Sequence, residues 1–115
     1  MTYRIAIASS DGKVVNQHFG HCRQFLIFEN DDTGKWKFVE KRDTLPACKA
    51  GEHSEASMQY VVTLLEDCKA VAAAQIGLGA VQVLTLAKIR AFCAIGLIEK
   101  VLEKVSDTLN INTES

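Results

Sequence analysis

Ala70-Val71-Ala72-Ala73-Ala74-Gln75-Ile76, followed at once by Gly77-Leu78-Gly79, is the stretch that decides the fold. The run is short, nearly all apolar and without alternation, as a strand covered on both faces should be. Such a strand is parallel to its neighbours, and parallel strands need crossover connections, usually helices. Helical patterns stand on both sides of it. Upstream, Ser54 is a good N-cap, and Ser57, Tyr60, Val61, Leu64, Leu65 and Cys68 follow at three- and four-residue steps. Downstream, Ala80 to Lys88 carries Val81, Leu84 and Ala87/Lys88 at helical spacing, and Ile89 to Ala94 reads as a last strand. Leu97/Ile98, Val101/Leu102 and Val105 then mark a final helix, after which Ser106 to Ser115 is polar and expected to fray.

Towards the N-terminus, Tyr3 to Ser9 is a second apolar run, suited to a central strand, and Asp11-Gly12 turns the chain. Gln24 to Glu29 and Trp36 to Arg42 read as an antiparallel hairpin across Asn30 to Lys35. In its second arm Trp36, Phe38 and Glu40 alternate with Lys37, Val39 and Lys41, the pattern of an edge strand with one wet face. Asp43 to His53, which holds the only proline, reads as a loop. Right-handed crossovers make strands one, four and five parallel, and the hairpin makes strand two antiparallel. The expected architecture is a three-layer α/β/α sandwich on a mixed five-stranded sheet, order 3-2-1-4-5. That order puts a topological switch between strands one and four, where α/β folds bind ligands beyond the carboxyl ends of their strands. The Ser9 to Cys22 loop and the Gln75 to Gly79 turn both emerge there.

Length and charge narrow the function. A chain of 115 residues with 48% hydrophobic content suits one domain, expected over 1–105 with a polar tail over 106–115. Thirteen basic and fourteen acidic residues, without like-charged blocks, leave no electrostatic footprint for nucleic acid. The first apolar run is too short for a signal-peptide core or a membrane span, so a cytoplasmic protein is expected. In that reducing compartment the four scattered cysteines are expected to be free or metal-bound.

Chemistry concentrates in Asn16-Gln17-His18-Phe19-Gly20-His21-Cys22, where two imidazoles and a thiol fall within five residues. Imidazole suits borderline metals and thiolate suits iron or zinc, so the cluster suggests a metal or metal-cluster site. His18 and Cys22, four apart, would share one side of a helical turn. Phe19 is expected to plug the loop into the core. Cys48 and His53 form a second group, and His53 precedes a helix N-terminus, whose amides favour an anion. Cys68 and Cys93 read as core packing. Two other readings stand beside a cluster site: a zinc-stabilised interaction module using His18, Cys22, Cys48 and His53, and a small thiol- or metal-dependent enzyme with a His18/Cys22 pair. The first lacks a C-x-x-C pair. A carboxylate hydrolase lacks its acidic constellation, and Gly77-Leu78-Gly79 lacks the remaining features of a phosphate-binding loop.

Ile5-Ala6-Ile7-Ala8-Ser9-Ser10-Asp11-Gly12-Lys13, Val15-Asn16-Gln17-His18-Phe19-Gly20 and Gln24-Phe25-Leu26-Ile27-Phe28-Glu29 together resemble the dinitrogenase iron-molybdenum cofactor biosynthesis family. This is the NifX type, which also occurs as the C-terminal domain of NifB proteins. Leu65 to Val71 and Ile76 to Ala80 fit the same pattern, so the resemblance runs to about Val105. It implies a ribonuclease H-like fold and a non-catalytic protein that binds or carries an iron-sulfur or iron-molybdenum cluster precursor, with cofactor-assembly or nitrogenase proteins as partners. The histidine of the family's His-Phe-Gly motif is His18, the implied ligand, and cysteines serve in some members. His21, Cys22, Cys48 and His53 are site candidates on local chemistry alone, Cys22 and Cys48 as further metal ligands. The C-x-x-x-C-x-x-C motif of the radical-SAM domain of NifB is absent. The family also includes stand-alone proteins associated with molybdenum-copper clusters, which leaves the cargo open.

Overall fold

The computed structural model describes residues 3–31, 35–43, 48–49, 52–53 and 55–113; at 21, 48–49, 52–53, 55–58 and 110–113 only the backbone is described. In chain order the elements are β1 (Tyr3–Ala8), β2 (Val14–Val15), a 3-10 turn (Phe19–His21), β3 (Gln24–Asn30), β4 (Trp36–Asp43), β5 (Cys48–Lys49), β6 (Glu52–His53), α1 (Glu55–Leu64), β7 (Ala70–Ala73), α2 (Leu78–Leu86), β8 (Arg90–Cys93), β9 (Gly96–Leu97) and α3 (Ile98–Thr113). Five strands form one mixed sheet in the order β4-β3-β1-β7-β8. β1 is antiparallel to β3 and parallel to β7, and β7 is parallel to β8.

Alternation on the two central strands builds a core on each face of this sheet. Ile5 and Ile7 of β1, with Ala70 and Ala72 of β7, pack against Ile98, Val101, Leu102, Val105 and Leu109 of α3. Ala6, Ala8, Val71 and Ala73 point the other way, into a core shared with Val61, Val62 and Leu65 on the α1 side and Ala80 and Leu84 of α2. β7 is buried throughout, which its lack of polar alternation foretells. Each buried Ile, Leu or Phe contributes about 1.5–3 kcal/mol of hydrophobic stabilisation, so the two cores fix the strand register from which the loops emerge.

The details depart from expectation in several places. A bulge at Val39 shifts the β3–β4 register between Ile27/Glu40 and Phe28/Phe38, which breaks the simple alternation along the edge strand. Val39 thereby packs against the core on the α1 side, while Phe38 is 54% exposed and meets Phe28 edge-on at 5.7 Å. Of the face expected along and just after α1, Val61, Leu65 and Cys68 are buried while Tyr60 stays exposed, and Val62 joins them inside. The segment after Asp43 is not all loop, because β5 and β6 pair there, with Cys48 opposite His53. Likewise β2 pairs with β9 in a second small sheet. α3 continues through Thr113 with Leu109 buried, so Ser106 to Thr113 is helix rather than a frayed tail. Cys93, expected in the core, is exposed at the end of the outer strand β8. The proposed cap Ser54 lies outside the described residues.

One polar network ties the sheet edge to the α1–β7 connection. Arg42 of β4 donates from Nη1 to the Leu64 carbonyl at 2.9 Å and grips Asp67 with both terminal nitrogens at 2.6 and 2.7 Å. Arg4 adds a bond to Asp67 at 3.1 Å and another to Glu29 at 3.0 Å. The fork of Arg42 holds the Asp67 carboxyl well below the ordinary carboxylate range.

Candidate functional site

β1 leads into Ser9, which is buried, and side chains hold the following loop in shape. The Ser9 hydroxyl donates to Asp11 at 3.2 Å and accepts the Gly12 amide at 3.0 Å. Asp11 in turn accepts the amides of Lys13 and Val14, in that order the main reasons its carboxyl sits below its usual range. Gly12 has φ +77, a conformation that side chains resist. Beyond β2, the amides of Asn16 and Gln17 return to the Ala8 carbonyl. The Gln17 carbonyl accepts from Ala74 at 2.9 Å, and Phe19 N–H donates to the Gln75 carbonyl at 2.9 Å. Residues 17–19 thus run parallel to the extension of β7, with His18 bridged to Gln75 at the carboxyl end of the sheet.

This places His18 on a doubly anchored backbone. Phe19, 1% exposed, drives its ring into the core against Phe25, with centroids 5.8 Å apart. His18 itself is half-buried and caps the 3-10 turn, its Nδ1 accepting the Gly20 amide at 2.9 Å. An Nδ1 that accepts carries no proton, so in the neutral ring the proton is on Nε2. Ligation of a metal through Nε2 therefore requires that proton to leave or to move to Nδ1, with loss of the Gly20 bond. A lost bond of this kind costs about 1–3 kcal/mol.

The remaining candidates divide. Cys22 is 1% exposed within the core, its thiol donates to the Gln24 carbonyl, and burial pushes its pKa up to about 11. Cys68 is buried too, and burial, then the neighbouring Asp67 carboxylate, push it up to about 12. The expected single turn over Phe19–His21 is present as a 3-10 turn with His18 and Cys22 as its caps, and the Cys22 thiol goes into the core. The side chains of His21, Cys48 and His53 lie outside the described residues, but the backbone of β5, which carries Cys48, lies beside the 3-10 turn. Among the described residues no three His, Cys, Asp or Glu side chains group as a metal site.

Two hollows flank the loop. The larger, about 550 Å³, lies over the α3 face between Phe28, Trp36, Leu97 and Leu102, and among the described residues no imidazole or thiol lines it. A smaller polar cleft of about 230 Å³ is lined by Ser9, Ser10, Gln17, Arg23 and Gln24. Arg23 was not singled out from sequence, where a lone arginine before a strand carries no signal. Among the described residues no helix is long and apolar enough to cross a membrane.

The chain is thus a small mixed-sheet α/β domain with a capped imidazole at its topological switch, the place where α/β sheets commonly bind ligands. The family model described as dinitrogenase iron-molybdenum cofactor matches residues 1–108, and the chain belongs to that family, one of iron-molybdenum cofactor biosynthesis. It is 32% identical over 108 residues to the FeMo cofactor biosynthesis protein NifB of Frankia alni, a match covering 91% of this chain and 21% of that protein. It is also 32% identical over 72 residues to the protein NifY of Klebsiella pneumoniae, covering 63% of this chain and 29% of NifY. The chain thus spans less than a third of each of these relatives. A crystal structure described as a candidate dinitrogenase from Methanocaldococcus jannaschii shares the fold, with TM-score 0.62, 18% identity and coverage of 94% of this chain and 91% of that one.

Proposed function

We propose that this domain, on a ribonuclease H-like sheet, is a non-catalytic carrier for an iron-sulfur or iron-molybdenum cofactor precursor, received from and released to other assembly proteins. The observation that carries the reading is His18, held by the Gly20 amide and the Phe19–Gln75 bond at the carboxyl end of the sheet. A carrier has to let go. An imidazole that gives up a hydrogen bond when it ligates binds more weakly than one already carrying its proton on Nδ1, and weak ligation favours transfer over storage. Cys48 and His53, opposite each other in β5–β6, are the proposed further donors, joined by His21 on the turn. Cys22 is a poorer one, because a buried thiol with raised pKa resists becoming a thiolate. Membership of a cofactor-biosynthesis family supports the choice of cargo over zinc or a thiol enzyme.

Anaerobic mixing with a synthetic iron-sulfur cluster, followed by desalting, tests this. Wild type is expected to keep the cluster's visible absorption and His18→Ala to lose most of it. Equal retention by the two, or none by wild type, removes the assignment.

A further inference from the structure

The polar cleft lined by Gln17, the residue before His18, has no role in the reading so far, and its wall is chemically one-sided among the described residues. Of its lining residues Ser9, Ser10, Gln17, Arg23 and Gln24, none is acidic and one is cationic. The nearby carboxylate in sequence, Asp11, is occupied by the Lys13 and Val14 amides and the Ser9 hydroxyl. Asn16 donates to Ser10 Oγ at 3.0 Å and accepts the Ser10 amide at 3.1 Å, which fixes that serine and leaves its hydroxyl proton to donate elsewhere. Gln24 is pinned by its Nε2 bond to the Ser9 carbonyl at 3.0 Å and keeps a second amide hydrogen. Gln17 follows the fixed line of the backbone that also sets His18. Arg23 is exposed and, among the described residues, makes no ion pair with a carboxylate. A small cleft with hydroxyl and amide donors and a guanidinium at its edge has the donor set of an anion site.

We infer that this cleft is an anion subsite of the cargo-binding surface, with Arg23 as its cation, receiving a sulfide-bearing anionic face of the cargo while His18 engages the same cargo alongside. The inference rests on the carrier reading and adds to it the group that supplies charge. A single imidazole gives a directional contact and no net charge when neutral, whereas metal-sulfur anions carry net negative charge. Arg23 supplies attraction that acts before contact and weakens with salt.

Tetrathiomolybdate, a doubly charged metal-sulfide anion with visible absorption, is the probe. Its binding is titrated anaerobically into wild type, Arg23→Gln, Arg23→Lys and His18→Ala, at low salt and at about 0.5 M salt, where the screening length is only a few ångströms. Arg23→Gln is expected to bind about tenfold more weakly at low salt, a loss that shrinks to about twofold at high salt. Arg23→Lys should recover most of it, and His18→Ala should weaken binding at both salt concentrations without changing the salt slope. Circular dichroism of Arg23→Gln should match wild type, because the side chain is exposed. Equal affinity of Arg23→Gln and wild type at low salt overturns the subsite and leaves the carrier intact. So does inorganic phosphate binding through Arg23 as tightly as the thioanion and indifferently to His18→Ala, which would make the cleft a site for free oxyanions. Wild type that rejects tetrathiomolybdate yet retains a synthetic iron-sulfur cluster also overturns the subsite alone. Wild type that retains neither removes the carrier reading and the subsite with it.

Discussion

Replacing Phe19 by leucine separates the anchor of the His18 turn from the imidazole itself. The ring is 1% exposed and tilted against Phe25 at 5.8 Å. Leucine loses that aromatic contact, about 0.5–1.5 kcal/mol, and fills the space incompletely, about a further 1 kcal/mol. A total near 2 kcal/mol lowers the midpoint of thermal unfolding by about 8 °C in a domain of this size. The effect should also be local: the Gly20 amide, which donates to His18 Nδ1, is expected to exchange with deuterium at least tenfold faster, as the turn opens without the rest of the fold. Thermal circular dichroism and amide exchange by NMR measure both on the unliganded protein. A midpoint within about 1 °C of wild type, or a Gly20 amide that exchanges as slowly as before, would show that the ring does not hold the turn.

Other perturbations test the surrounding structure. Arg42→Met leaves the Leu64 carbonyl and one face of Asp67 without their donor, and should cost about 2–3 kcal/mol in urea unfolding; a change under about 0.5 kcal/mol would make the network ornamental. Because Asp67 has a depressed folded-state pKa, its contribution is present above the ordinary carboxylate range near pH 4 and is lost as pH falls through and below it. Wild type should therefore lose stability on acidification more steeply than Arg42→Met, and parallel pH profiles would contradict the pairing. In a Cys48→Ser background one thiol, Cys93, should react quickly with an alkylating reagent in native protein at pH 8, since the raised pKa values of Cys22 and Cys68 leave only about a thousandth or less as thiolate and burial blocks access; rapid loss of Cys22 would return it to the candidate ligands.

The sequence carried the main strands because their patterns are long enough to be unambiguous: the unbroken apolar run at Ala70, the Ile-Ala alternation from Ile5 and the two arms of the hairpin. The two-residue strands β2, β5, β6 and β9 carry no period at all, and only tertiary contact makes them. A bulge is equally silent, because one inserted residue at Val39 looks like ordinary alternation until the partner strand is in view. α3 could have been read further, since Leu109 follows Val105 by four residues, but Ser106, Asp107 and Thr108 hid the face behind low helix propensity. At the site, the role of Phe19 as a plug was legible and the inward turn of Cys22 was not. A cysteine beside histidines invites a ligand reading, yet free cysteine packs as a small apolar side chain, and burial decided the matter. The Gly20 bond that selects the His18 tautomer is a property of the turn, invisible in composition or spacing.

Nitrogen from His18 in contact with the cargo's metal is the claim on which the carrier account stands. Protein labelled with ¹⁵N-histidine and loaded anaerobically with a paramagnetic iron-sulfur cluster can be read by electron spin-echo modulation. The account predicts a ¹⁵N imidazole coupling with a His18 contribution that disappears in His18→Ala and persists in His21→Ala and His53→Ala; a spectrum unchanged in His18→Ala, or a loaded cluster with no histidine coupling, would contradict it.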